Sequence, residues 1–549
     1  MNNKLLINSK YIEIQCDRND WYTHQLVEKI PYVHKNRSRT KFRTTTRNIE
    51  LVLQLFRGID DRNIHTAPAA IQKIYLDEQR RSSETDRLIR DGPHNPKGWL
   101  YTHQQLGREI AEIQDRYAFF YDTRTGKTPM SLQIIADDLE KNPGHKWLVL
   151  CPLILIENAW LPDAAQFFPN IKVVNLHDKT KAKRLKKFEQ DADIYVTNIE
   201  SFISYREHID NLDIHGCIVD ESSTMKSSRS KFGKAAVDFA QSMKRWYLLS
   251  GTPAPNGEWE YYRQLQSIDY YGVHQSWTQF KEYFFDNVSY SPQFEKLRVK
   301  SHKYDELMKL LRKYSLYVDK EDVLTTPGRD FITVDMEMPG DLAKHYHKLR
   351  KELYIELTDP NTLITAQSAG AKRNKLNQVS SGFIIDTKTQ ETYLLSDYKF
   401  KELTKLLANI GDEQVIIWCN YHKEFEEIQK MLGDRCVCVY GKVSIQDKNK
   451  NLKDFKEGKV QYLVANPASA DKGLTLTNAR FAIYFSMNDS LELFEQSADR
   501  IYGDISKQAH RCTYYIMQAR GTVDEVIYKA IQNKGDVSMA VLNHLKAVM

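Results

Sequence analysis

The sequence predicts an α/β protein with two parallel-sheet lobes, helical insertions between them and a small α+β unit in front. Three observations carry that expectation. Two separate series of short, β-rich apolar runs alternate with helical stretches, the pattern of strands buried on both faces. The tripeptide Gly126-Lys127-Thr128 follows the apolar run 117–121, in the strand-turn-helix context of a phosphate loop. About ninety residues later an apolar strand ends in Asp220-Glu221, and Ser250-Gly251-Thr252-Pro253 closes the first series.

The 549 residues allow three or four domains at roughly 150 residues each. Hydrophobic content of 41% and charged content of 27% are ordinary for a globular chain, and no run approaches the ~20 apolar residues of a membrane span. The first residues hold too short an apolar core for a secretory signal, so an intracellular protein is expected. Seven cysteines include no Cys-x-x-Cys pair and sit mostly in apolar runs; they read as buried, reduced thiols without structural zinc. The net charge of +6 permits a nucleic-acid partner without demanding one, so the placement of charge matters more.

Residues 1–92 form the first expected unit, with a strand at 11–16, helices near 21–30 and 49–56, and a basic row between them. Lys35, Arg37, Arg39, Lys41 and Arg43 alternate with other residues, so on a strand all five share one face, which suits a phosphate backbone; Arg47 extends the row. The alternative is a solvated, charged loop. Residues 80–98, with Gly92, Pro93 and Pro96, read as a linker. The first lobe, 93–270, takes strands at 118–121, 147–151, 171–176, 194–197, 217–219 and 246–249. Residues 271–396 are aromatic and basic with helical periodicity and read as helical insertions. The second lobe, 397–549, takes strands at 415–419, 436–440, 462–465, 481–485 and 514–517.

The chemistry follows from what a nucleoside triphosphate needs. Thr125, Gly126, Lys127 and Thr128 offer backbone N–H groups at a helix N-terminus, a lysine charge for the β and γ phosphates, and a hydroxyl for Mg²⁺. Asp220 emerges at a strand's C-terminal edge to complete the metal site, and Glu221 orients or deprotonates the attacking water. The alternative for the acidic pair is a plain surface turn after a strand.

In order and spacing these motifs resemble the superfamily 2 helicases, and specifically the Swi/Snf-like DNA translocases, over about 450 residues from Leu100 onward. The resemblance implies two RecA-like lobes, ATP and Mg²⁺, and DNA as partner. Gln104 resembles the adenine-reading residue that precedes the phosphate loop. Cys151-Pro152-Leu153 with Asn158 and Trp160, and Thr197-Asn198-Ile199-Glu200, resemble two strand-contacting motifs, which implies DNA contacts from Pro152, Thr197 and Asn198. Residues 249–256 resemble the motif that couples hydrolysis to lobe movement. Residues 318–323 and 375–382 are similar to stretches specific to the Swi/Snf-like branch. In the second lobe, 415–421, 470–479 with Gly473, and 496–500 with Gln496 and Arg500 complete the set, Arg500 matching the first arginine of the final motif.

Two positions depart from the family pattern. Arg124 stands two residues before Gly126, where a glycine is expected, and Gly503 stands where the final motif has its second arginine. One hypothesis is an exchange, in which Arg124 supplies transition-state charge in cis. The alternatives are drift, a phosphate contact from Lys507 or Arg511, or a weakened ATPase. The strand, helix, basic-strand, helix order of the first unit is similar to the substrate-recognition domain of HARP-type annealing helicases and of phage branch-migration helicases. The expected activity is therefore ATP-dependent remodelling of branched DNA, such as fork regression, branch migration or annealing, in the cytoplasm of a prokaryote or of a phage-infected host. The alternatives are a plain duplex translocase that displaces proteins, and a weakly hydrolysing, nucleotide-gated DNA clamp.

Overall fold

The computed structural model describes residues 4–7, 11–16, 18–30, 33–44, 52, 68–95, 97–273, 276–288, 295–352, 354–356, 363–365, 369–386, 389–469, 475–502 and 510–545. They fall into two compact units, Met1–Val323 with Val537–Met549, and Leu324–Asp536. Among them no helix is long and apolar enough to cross a membrane. All seven cysteines are buried thiols, and none forms a disulfide.

The chain opens with an antiparallel sheet of β1 (Lys4–Ile7), β2 (Ile12–Gln15), β3 (His34–Lys35) and β4 (Lys41–Thr44), in the order β1-β2-β4-β3. Ile12 and Ile14 pack with Leu26, Val27 and Ile30 of the helix region and with Phe42. Asp20 caps the helix Trp21–Glu28 through Thr23 N–H. The basic row does not form one strand. Asn36 accepts from Thr40 N–H and Lys41 N–H and folds residues 36–40 into a hairpin turn, with Arg39 left-handed at φ 53°. Lys35 therefore lies on β3, Arg37 and Arg39 at the tip, and Lys41 and Arg43 on β4. Arg47 and the expected helix at 49–56, Val52 apart, lie outside the described residues.

The expected linker is also corrected, because most of it is the end of the helix Pro68–Asp91. Leu88 is buried in the first lobe's core, Arg81 pairs with Asp115 at 3.0 Å, and Arg87 with Asp91 at 3.4 Å. A charged segment thus stays helical through one apolar anchor and i,i+4 pairing.

The first lobe is a seven-stranded parallel sheet with β5 (Arg116–Tyr121), β6 (Trp147–Leu150), β7 (Val173–Asn175), β8 (Ile194–Thr197), β9 (Gly216–Asp220) and β10 (Arg245–Leu249). A small antiparallel pair, β11 (Phe285–Asn287) and β12 (Leu297–Val299), precedes its last strand, β13 (Ser315–Val318). The order is β13-β5-β10-β9-β6-β8-β7. Val318 pairs with Tyr121, Leu249 with Phe119, and Leu249 with Asp220, so four neighbouring strands end together at one edge. Ligands bind at that edge in parallel sheets.

The second unit begins with β14 (Arg329–Met336) and includes two antiparallel pairs, β15 (Tyr354–Glu356) with β16 (Leu363–Thr365) and β17 (Phe383–Ile385) with β18 (Thr392–Leu394). Its parallel sheet adds β19 (Val415–Trp418), β20 (Cys436–Val439), β21 (Tyr462–Ala465), β22 (Phe481–Tyr484) and β23 (Cys512–Ala519), in the order β14-β23-β22-β19-β21-β20. The region 271–396 holds helices, among them Tyr304–Tyr314 and Gly340–Glu352, but it also gives each sheet an edge strand, β13 and β14.

Candidate nucleotide site and nucleic-acid surface

The phosphate-loop tripeptide sits at the C-terminal edge of β5, where the helix Lys127–Lys141 begins. Gly126 is left-handed at φ 78°, and a Cβ there would displace the Gln104 amide, so glycine is favoured. The helix's first N–H groups have no intrahelical partner and form the positive, anion-binding end of its dipole. Lys127 Nζ rests on the carbonyls of Tyr121 (2.9 Å) and Asp122 (3.2 Å), folded over the loop. Thr125 is buried, its hydroxyl donating to the Asp122 carbonyl, while Thr128 is partly exposed on the helix's first turn.

Arg124 is partly buried with φ 65°. This is the left-handed region, which glycine adopts without steric cost. The arginine keeps that conformation at a cost of roughly 1–2 kcal/mol.

Gln104 is placed differently from a free base-reading amide. Its Nε2 donates to the Thr125 carbonyl at 2.9 Å and its Oε1 accepts from Tyr101 N–H at 3.0 Å. Beside it His103 Nε2 lies 2.7 Å from the same Thr125 carbonyl, and burial holds that imidazole's pKa down. Both side chains brace the loop from behind.

Asp220 and Glu221 end β9, one strand from the loop's own neighbour. Asp220 is buried; its Oδ2 accepts from Trp160 Nε1 at 3.0 Å and its Oδ1 from Glu221 N–H at 3.0 Å. Burial, and then the adjacent Glu221 charge, push its pKa up to about 6, against the opposing charge of Lys127. Glu221 is left-handed at φ 55° and starts a 3-10 turn. A buried Asp220 carboxylate beside the half-buried Glu221 fits a divalent cation. Among the described residues no cluster of three or more His, Cys, Asp or Glu side chains forms a metal cage. Mg²⁺ needs none, since it is held by one or two carboxylates together with substrate phosphates.

The third segment closes on the other two. A Cβ on Gly251 would stand 3.3 Å from Thr123 N, so the exit of β10 packs against the loop. Gln264, which the sequence did not single out, accepts from Ser222 Oγ and donates to the Pro253 carbonyl, tying the acidic turn to this segment. Trp160, read as part of a strand-contacting motif, is buried and donates its Nε1–H to Asp220.

The residues expected on DNA are distributed unevenly. In the hairpin, Glu13 engages Arg43 and lies 3.9 Å from Lys41, and Glu28 lies 3.6 Å from Lys35. Arg43 also lies 4.5 Å from the Tyr11 ring. Arg37 and Arg39 stay exposed at the tip, and among the described residues no carboxylate pairs with them. Pro152 is partly exposed at the exit of β6. Thr197 and Asn198 are buried at the exit of β8, and Thr197 Oγ1 and Ser201 Oγ have no hydrogen-bond partner among the described residues.

In the second unit Arg500 is buried after the helix Leu491–Ala498, its carbonyl accepting from Leu476 N–H. Gln496, on that helix, lies 3.5 Å from Glu492. Gly473, Gly503 and Lys507 lie outside the described residues. Arg511 pairs with Asp330 beside the β14–β23 pairing.

Residues 103–392 match the SNF2-related domain, and residues 398–502 match the helicase conserved C-terminal domain. The chain is similar to putative protein p41 of Acyrthosiphon pisum secondary endosymbiont phage 1, 26% identical over 77% of this chain and 93% of that protein. It is 20% identical to the DNA annealing helicase and endonuclease ZRANB3 of Bos taurus, over 70% of this chain and 35% of that one. It is 22% identical to a SWI/SNF-related matrix-associated actin-dependent regulator of chromatin subfamily A-like protein 1 homolog of Caenorhabditis elegans, over 71% of this chain and 54% of that one. The chain thus spans about a third to a half of the length of these two animal relatives. Among solved structures, the Sulfolobus solfataricus SWI2/SNF2 ATPase core in complex with dsDNA is 19% identical, with a TM-score of 0.38, covering 82% of this chain and 98% of that one.

Proposed function

The chain belongs to the SNF2-related domain family of DNA-dependent ATP hydrolases, and from that premise we propose that it translocates on DNA to remodel forks or junctions. The observation that carries the ATPase part is the single sheet edge at which the phosphate loop, Asp220-Glu221 and Ser250–Thr252 emerge together from three adjacent strands.

ATP lies with its phosphates on the N–H groups at the start of the helix Lys127–Lys141, and Lys127 exchanges the carbonyls of Tyr121 and Asp122 for the β and γ oxygens. Glu221 orients the attacking water. Asp220 and Thr128 would hold Mg²⁺, which supplies charge neutralisation at the phosphates when bound. Arg500 and Gln496 take the roles that the family's final motif implies for them, and Arg124 adds a guanidinium within the loop. On the DNA side, the exposed cations Arg37 and Arg39 contact the phosphate backbone from the hairpin tip, with Pro152 and the exit of β8 lining the first lobe's share.

Branched DNA is favoured over plain duplex by the exposed hairpin tip, and by relatives that include a protein named as a DNA annealing helicase. The test compares ATP hydrolysis by the full chain with linear duplex, single strand, fork and four-way junction. Fork or junction DNA stimulates most, and Arg37→Ala with Arg39→Ala removes that preference. Equal stimulation by linear duplex overturns the branched-DNA reading, and absence of any DNA stimulation overturns the translocase.

A further inference from the structure

Lys320 is 2% exposed, on the short helix Lys320–Val323 that follows edge strand β13. Its Nζ lies 3.4 Å from Thr123 Oγ1 and 3.8 Å from Asp122 Oδ2. Asp122 is the residue from which the phosphate loop hangs. Its N–H donates to the Val318 carbonyl at 2.9 Å, continuing the β13–β5 pairing, and its carbonyl accepts from Thr125 Oγ1 at 2.7 Å and Lys127 Nζ at 3.2 Å. Its Oδ1 accepts from Thr123 N–H at 2.6 Å. Two lysines therefore converge on one residue, Lys127 on its carbonyl and Lys320 on its carboxylate.

That arrangement matters once a triphosphate arrives. Lys127 must leave the loop carbonyls to reach the phosphates, and the Asp122 carboxylate then stays behind as a fixed negative charge beside a polyanion. In a partly buried site such repulsion is weakly screened. We infer that Lys320 is a positioning residue for nucleotide binding: it neutralises Asp122 beside the phosphates and holds the Asp122–Thr123 end of the loop still while Lys127 moves. The inference rests on reading Gly126-Lys127-Thr128 as the ATP site.

The test is a charge-rescue cycle on the full chain, read by equilibrium binding of a fluorescent ADP analogue, by KM and kcat for ATP, and by thermal unfolding without nucleotide. Lys320→Met weakens nucleotide binding by about tenfold or more and raises KM with kcat nearly unchanged. Adding Asp122→Asn to Lys320→Met restores affinity to within about threefold of the parent, because the repelling charge is gone. A double variant no better than Lys320→Met overturns the inference, as does a Lys320→Met protein that binds like the parent. Should Lys320→Met fail to fold, Asp122→Asn alone decides: it leaves Lys320 as an excess cation and tightens nucleotide binding, and a weakened affinity overturns the inference. Lys127→Ala is the control; a parent protein that binds no nucleotide at all overturns the ATP-site reading instead.

Discussion

Two non-glycine residues in the candidate site, Arg124 and Glu221, hold left-handed backbone, the conformation in which sites store strain. For Arg124 the strain and the function separate experimentally. Arg124→Gly stabilises the protein by about 1 kcal/mol in denaturant unfolding, once glycine's extra freedom in the unfolded chain is set against the relief. The same change lowers ATP turnover if the guanidinium serves the transition state, and a variant that gains stability at full turnover shows that it does not. Asp220 gives a pH signature. Its folded pKa near 6 stands above the unfolded carboxyl value near 3.9, so the folded state binds this proton more tightly. Stability without metal therefore rises as pH falls from about 7 through 6, while Mg²⁺ and nucleotide affinity, which need the ionised carboxylate, fall over the same range. Thermal unfolding with and without Mg²⁺ measures both slopes, and Asp220→Asn flattens both.

At the scale of elements, His34 and Tyr11 join the N-terminal sheet to the first lobe. His34 Nε2 lies 3.0 Å from the Val273 carbonyl, its ring stands 4.8 Å from Tyr270, and Tyr11 stands 4.9 Å from Tyr271. Burial lowers the His34 pKa, so the unfolded or undocked chain binds that proton more readily. Docking is fully favourable above about pH 6.5 and weakens as pH falls below it. Thermal unfolding followed against pH should show stability falling below that point in the parent, and this pH dependence lost in His34→Gln. The central strands of both lobes were legible because runs such as Trp147–Leu150 and Val415–Trp418 are apolar throughout, as strands covered on both faces must be. Edge strand β14 was not, because Arg329–Met336 is largely exposed and carries no such run. The hairpin was hidden in five alternating cations because the turn is made by the Asn36 side chain, which periodicity does not register. Gly126, Lys127 and Asp220 could be read from spacing, whereas Lys320 lay in a motif whose place beside the loop depends on the pairing of β13 with β5.

For the whole molecule, the chain divides into two compact units, each with buried apolar clusters of its own. In the second unit Lys399, with no exposed surface, meets Asp524 at 2.9 Å; Asp524 also accepts from Ser380 Oγ at 2.6 Å and from Ala519 N–H at 3.2 Å. Removing one partner of such a pair strands a buried charge. Asp524→Ala therefore destabilises the second unit by about 3–5 kcal/mol. Denaturant unfolding followed by a probe in the second unit measures this loss, and an unchanged midpoint contradicts it. The paired variant Lys399→Met with Asp524→Leu recovers much of the loss, since apolar replacement of a buried pair is close to neutral.

Arginine and glycine codons differ by a single base. The left-handed Arg124 is thus one mutational step from the residue its backbone would favour, and relief of the strain is always within reach of a replicating population. Propagation under selection for stability alone should fix the glycine codon quickly, whereas propagation under selection for activity should purge it. The fate of that one codon reports whether the guanidinium is needed.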